Sequence, residues 1–79
     1  MNDIPWNKII LDDFRYLSRL TEEEDLILRD WEAGKSVTQI AMDRSMSDRK
    51  VERLRNQIRR KYDAVQPYSP LLPKRIIAN

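Results

Sequence analysis

The chain has 79 residues, 35% of them charged, with one glycine, four prolines and neither cysteine nor histidine. That length allows one domain at most, with a small core. The missing residue types exclude disulfides, Cys/His zinc sites, a thiol nucleophile and histidine acid–base chemistry.

The net charge of +2 conceals a segregation. Residues 1–43 carry five basic and ten acidic side chains, a net −5, whereas residues 44–79 carry ten basic and three acidic ones, a net +7. Such asymmetry points to a polyanion-binding C-terminal half. Apolar runs are short, as at Ile9-Ile10-Leu11, well below the roughly 20 residues that span a bilayer. The acidic N-terminus lacks a signal-peptide core. The expectation is a cytoplasmic protein without a membrane partner. The single glycine and the absence of strand-like alternation argue against hairpins. The periodicity is helical throughout, so the predicted class is all-α.

In chain order, Trp6, Ile9, Ile10, Phe14 and Leu17 recur at spacings of three and four and predict a helix over about 5–18, with Pro5 in its first turn. Its apolar face serves either as a lid over the core or as a dimerisation surface. Thr21-Glu22-Glu23-Glu24 is a capping box that opens a second helix. Glu22 to Asp25 complement the positive end of its dipole, which explains the acidic cluster without a metal. Ile27, Leu28 and Trp31 form its inner face, and Gly34 is its C-terminal cap.

Ser36-Val37-Thr38-Gln39 starts a third helix of about two turns, continued by Ile40 and Ala41. Ser45-Met46-Ser47 interrupts it, and Ser47 caps a fourth helix reaching about Tyr62. Val51, Leu54, Ile58 and Tyr62 mark that helix's core stripe. Beyond it, residues 63–79 contain Pro67, Pro70 and Pro73 and read as an extended tail, with Leu71, Leu72, Ile76 and Ile77 available to dock it. The architecture is therefore a small helical bundle with a helix-turn-helix, an extra N-terminal helix and an extended C-terminal tail. As domains, residues 1–62 are the helix-turn-helix part and 63–79 the tail.

A short helix, a tight turn and a longer basic helix suit insertion of the second helix into the major groove. Small Ala41 permits close approach, Met46 plugs the core and Val51 anchors the long helix. At about 100° per residue, the direction opposite the core stripe falls on Arg49, Arg53, Asn56 and Arg60, with Glu52 at its edge. Arg suits guanine O6/N7, Asn suits adenine N6/N7, and Glu accepts from cytosine N4. Arg49, Glu52, Arg53 and Asn56 are thus the candidate base contacts. Ser36, Thr38, Ser47, Lys50, Gln57, Arg59, Arg60 and Lys61 are the candidate phosphate contacts.

Residues 20–62 resemble the helix-turn-helix of LuxR-type regulators and the similar fourth region of sigma-70 factors. The resemblance rests on Leu20-Thr21, Glu24, Ile27-Leu28, Gly34, Ser36, Ile40-Ala41, Met46-Ser47, Val51, Ile58 and Lys61, with the family's intervals kept without gaps over 43 of the 79 residues. It implies base-facing roles for Glu52, Arg53 and Asn56. Two positions depart from the pattern: Arg44 stands where a buried Leu is usual, and Asp30 where an apolar residue is common. Arg44 is expected to snorkel or to reach a phosphate. The proline-bearing tail does not match the dimerisation helix that follows in LuxR-type domains, so homodimerisation stays open. No receiver or ligand-binding domain fits the remaining residues, so a signal would act through abundance or a partner.

The functional expectation is a sequence-specific, double-stranded DNA-binding transcriptional regulator that reads the major groove with residues 48–62. By resemblance its setting is bacterial or phage, at the nucleoid. The alternative is a sigma-region-4-like interaction module binding RNA polymerase or another regulator, with the acidic first half and the Trp6/Phe14 helix as its surfaces. An enzyme is not expected, because only capping carboxylates and capping serines are present. Nor is any cofactor or metal.

Overall fold

The computed structural model describes residues 4–75 as four α-helices and one 3₁₀ turn, with no strand among them. The helices are α1 (Lys8–Leu17), α2 (Glu22–Glu32), α3 (Val37–Arg44) and α4 (Asp48–Val65), followed by the 3₁₀ turn Gln66–Tyr68. Among the described residues no helix is long and apolar enough to cross a membrane. The chain divides into two units, residues 20–58 and residues 1–19 with 59–79; the boundary falls inside α4.

The unit of residues 20–58 is built by local caps. Thr21 Oγ1 accepts from the Glu24 amide at 3.1 Å, and the Glu24 carboxylate accepts from the Thr21 amide at 2.9 Å. Both halves of the capping box are thus made. This reciprocity accounts for a glutamate that is only 2% exposed.

Gly34, at φ 89°, ends α2 in the left-handed region. Its amide donates to Trp31 and that of Lys35 to Asp30, at 3.0 and 3.1 Å, the paired bonds of a Schellman motif. The same pair of bonds closes α3. Ser45 donates to Met42 at 3.4 Å and Met46 to Ala41 at 2.9 Å, with Ser45 itself at φ 54°. Ile27, Leu28, Ile40, Ala41, Val51, Leu54 and Ile58 form this unit's core. Burying each large aliphatic side chain contributes about 1.5–3 kcal/mol.

The other unit centres on aromatic rings. Trp6 lies 5.4 Å from Phe14 and 5.9 Å, edge-on, from Tyr62, and Phe14 lies 5.7 Å from Tyr62. Phe14 and Tyr62 are fully buried, joined in the core by Ile4, Ile10, Leu11 and Leu72.

The first helix is shorter than the expected 5–18. It begins at Lys8 rather than near Pro5, because Asn7 Oδ1 accepts from the Ile10 amide at 2.9 Å and sets the N-terminus. Pro5 lies in the segment ahead of the helix. From that start, Ile10, Leu11 and Phe14 turn inward, while Ile9 and Leu17, expected on the same stripe, are exposed. Ile9 lies about 100° from Ile10 on the side away from Leu11, so the two isoleucines cannot share a face.

α4 continues to Val65, three residues past the expected end at Tyr62, before Pro67 forces the 3₁₀ turn. The tail then folds back within its own unit. Leu72 is buried, Gln66 Nε2 donates to the Leu72 carbonyl at 3.0 Å, and the Tyr62 hydroxyl donates to the Pro73 carbonyl. Arg75 forks onto Asp63 at 2.9 and 2.6 Å, and the Ser69 hydroxyl donates to the Asp13 carboxylate. The tail is thus strapped down through Arg75. The expected docking of Ile76 and Ile77 lies outside the described residues.

Candidate nucleic-acid interface

Ser47 fixes where α4 begins. Its hydroxyl accepts from the Lys50 amide at 3.1 Å, so three residues separate the long helix from the end of α3. From that start Val51, Leu54 and Ile58 point into the core, each 3% exposed or less. Arg49, Glu52, Arg53 and Asn56 are therefore all left exposed on the helix's other side. Among the described residues, neither Arg49 nor Arg53 makes an ion pair or a side-chain hydrogen bond.

The first turn of α4 is electrostatically unusual. With Ser47 as cap, Arg49 and Lys50 are its second and third residues, and Asp48 is the turn's single acid. Cations at the positive end of a helix dipole cost stability. Two of them stand there beside the helix's amides.

The candidate phosphate contacts fall into distinct states. Ser36 and Ser47 are exposed caps, the Ser36 hydroxyl accepting from the Gln39 amide at 3.2 Å. Thr38 is exposed in the first turn of α3, and Gln57 is half-buried. Lys50 Nζ is paired with the Glu23 carboxylate at 2.8 Å. In the other unit, Arg60 is exposed and Arg59 half-buried, while Lys61 Nζ donates to the Arg19 carbonyl at 2.6 Å.

Three side chains stand differently from expectation. Met46 is half-buried rather than a full plug, because its amide is held by Ala41 and the turn stays at the surface. Trp31, expected on the inner face of α2, is half-buried, with the Arg55 guanidinium over its ring at 4.3 Å from the centroid.

Arg44 neither snorkels nor reaches outward. Its Nε and Nη2 donate to the Asp30 carboxylate at 2.9 and 3.1 Å. Asp30 is 6% exposed. Lys35 approaches the same carboxylate at 3.7 Å and pairs with Asp43 at 2.9 Å. The Arg44 guanidinium holds the Asp30 carboxyl below its ordinary range against the opposing effect of burial, and Asp43 raises Lys35. No local pattern in the sequence marks these pairs or Lys50–Glu23, whose members lie 27 positions apart in the chain.

Trp6 lies ahead of α1, and α1 itself leaves Ile9 and Tyr16 exposed. Phe14 is fully buried and Trp6 half-buried. Compared with family models, with curated proteins and with solved structures, the chain matches none.

Proposed function

We propose that the chain is a sequence-specific, double-stranded DNA-binding regulator of transcription that reads the major groove with the exposed face of α4. The observation that carries this reading is the two-sidedness of that helix. Val51, Leu54 and Ile58 are buried, while Arg49, Glu52, Arg53 and Asn56 stand exposed behind a three-residue turn.

The mechanism follows from the chemistry of those side chains. Arg49 and Arg53 donate to guanine, Asn56 exchanges a donor and an acceptor with adenine, and Glu52 accepts from cytosine. Gln57, Arg59, Arg60 and Lys61, with the helix-start hydroxyls Ser36, Thr38 and Ser47, contact the backbone and set register, and Lys50 joins them when released from Glu23. Arg49 and Lys50 cost helix stability where they stand, which a purely structural helix has no reason to keep. Operation at the nucleoid belongs to the same reading.

Salt titration of duplex binding tests it. The logarithm of the association constant should fall linearly with the logarithm of salt, with a slope near −0.9 per phosphate neutralised. Arg53→Ala or Asn56→Ala should lower discrimination by about 1–3 kcal/mol at one base pair while leaving that slope nearly unchanged. Binding that is indifferent to both substitutions contradicts the reading.

A further inference from the structure

The pair Lys50–Glu23 joins a cation on the proposed DNA-reading helix to a carboxylate on the first turn of α2, at 2.8 Å. Neither side chain is buried: Lys50 is 37% exposed and Glu23 51%. An ion pair so exposed adds little to stability. Glu23 is not required as a cap either, because Glu24 completes the capping box and Glu22 and Asp25 remain at the dipole's positive end.

Lys50, in contrast, is held in an unfavourable position as the third residue of α4. An N–O distance of 2.8 Å is also that of a charge-assisted contact from a lysine to a phosphate oxygen. The carboxylate thus stands where an anionic oxygen would stand.

Resting on the DNA-binding reading above, we infer that Glu23 is an internal competitor for backbone phosphate, occupying Lys50 and holding down affinity for every duplex regardless of sequence. While Lys50 remains on Glu23 it releases no counterion from DNA. Freed, it adds one phosphate contact, and that contact carries no base information. Glu23 therefore lowers non-specific and specific binding together, shortening the time spent on wrong sites.

The test uses the full chain and a labelled mixed-sequence duplex of about 20 base pairs, titrated at several salt concentrations. Glu23→Gln should tighten binding roughly 3- to 10-fold near 0.1 M salt and steepen the log–log slope by about 0.9. Glu22→Gln removes an equal charge one residue away and measures the general electrostatic effect. In a Lys50→Gln background the extra gain from Glu23→Gln should vanish, leaving only what Glu22→Gln gives.

If Glu23→Gln matches Glu22→Gln, or its gain persists without Lys50, the competitor role is overturned while DNA binding stands. If neither the unaltered chain nor Glu23→Gln binds duplex, the DNA-binding reading fails and the competitor role with it.

Discussion

The Arg44 guanidinium grips the buried Asp30 carboxylate with two hydrogen bonds, at 2.9 and 3.1 Å, and so ties the end of α3 to the end of α2. Arg44 alone would place a charge where an apolar side chain is usual, and Asp30 alone would bury an anion. Together each satisfies the other. A fork-to-fork pair of this kind fixes geometry as well as charge, so it holds the two helices in one register.

Arg44→Ala should therefore strand the Asp30 carboxylate and lower Tm on the order of 10 °C. Replacing both partners, Asp30→Leu with Arg44→Leu, should recover most or all of that loss, because an apolar pair carries no desolvation cost. Thermal melts followed by circular dichroism read both. A double variant as unstable as Arg44→Ala would show that the pair is not the cause.

The same pair sets an acid limb. Asp30 titrates below its ordinary 3.8 in the folded chain, so as pH falls the unfolded state takes up the proton first. Its contribution is full above the ordinary value and is lost as pH falls through the folded one. Urea midpoints between pH 5 and 2 should fall more steeply for the natural chain than for the Asp30→Leu/Arg44→Leu variant. Parallel curves would contradict the assignment.

Tyr62 governs the opposite end of the scale. Burial raises its hydroxyl above the ordinary 10.0, so the folded chain keeps a proton that the unfolded chain gives up. That stabilisation is complete below the ordinary value and is lost as pH rises through the folded one. Tyr62→Phe should flatten the alkaline limb. Because it also leaves the Pro73 carbonyl without its donor, it should cost about 1 kcal/mol near neutrality. Faster amide exchange around residues 72–75 in the variant is the accompanying sign, and unchanged exchange there would argue that the strap is held by Gln66 and Asp63 alone.

Ser45 occupies the left-handed region at φ 54°, where a side chain costs roughly 1–2 kcal/mol. Ser45→Gly removes that cost and restores part of it as unfolded-state entropy. The net expectation is a gain of about 0.5–1 kcal/mol, seen as a Tm rise of a few degrees. A loss on substitution would mean that the Ser45 side chain contributes something its backbone geometry does not reveal.

What could be read from the sequence was whatever a few neighbouring residues decide. Thr21, Ser36 and Ser47 as caps, Gly34 as the left-handed stop, and the stripe Val51, Leu54, Ile58 and Tyr62 all depend on contacts within three or four positions, and each stands where expected. Asn7 does not stand out as a cap because Pro5 and Trp6 offer an equally good helix start on pattern alone. Asp30–Arg44, Arg55 over Trp31, Lys50–Glu23 and the tail strapped by Tyr62 and Asp63 depend on packing between elements. No periodicity encodes such partners. For the candidate interface, the exposed face of α4 was legible for the same local reason, whereas the engagement of Lys50 and Lys61 was not.

Whether the exposed face of α4 reads base sequence is tested most directly by selection of bound duplexes from a random pool. The expected result is enrichment of one short motif, with Arg53→Ala and Asn56→Ala each relaxing preference at a single, different position. A pool that stays unenriched after repeated rounds, or a motif unchanged by both substitutions, would contradict it.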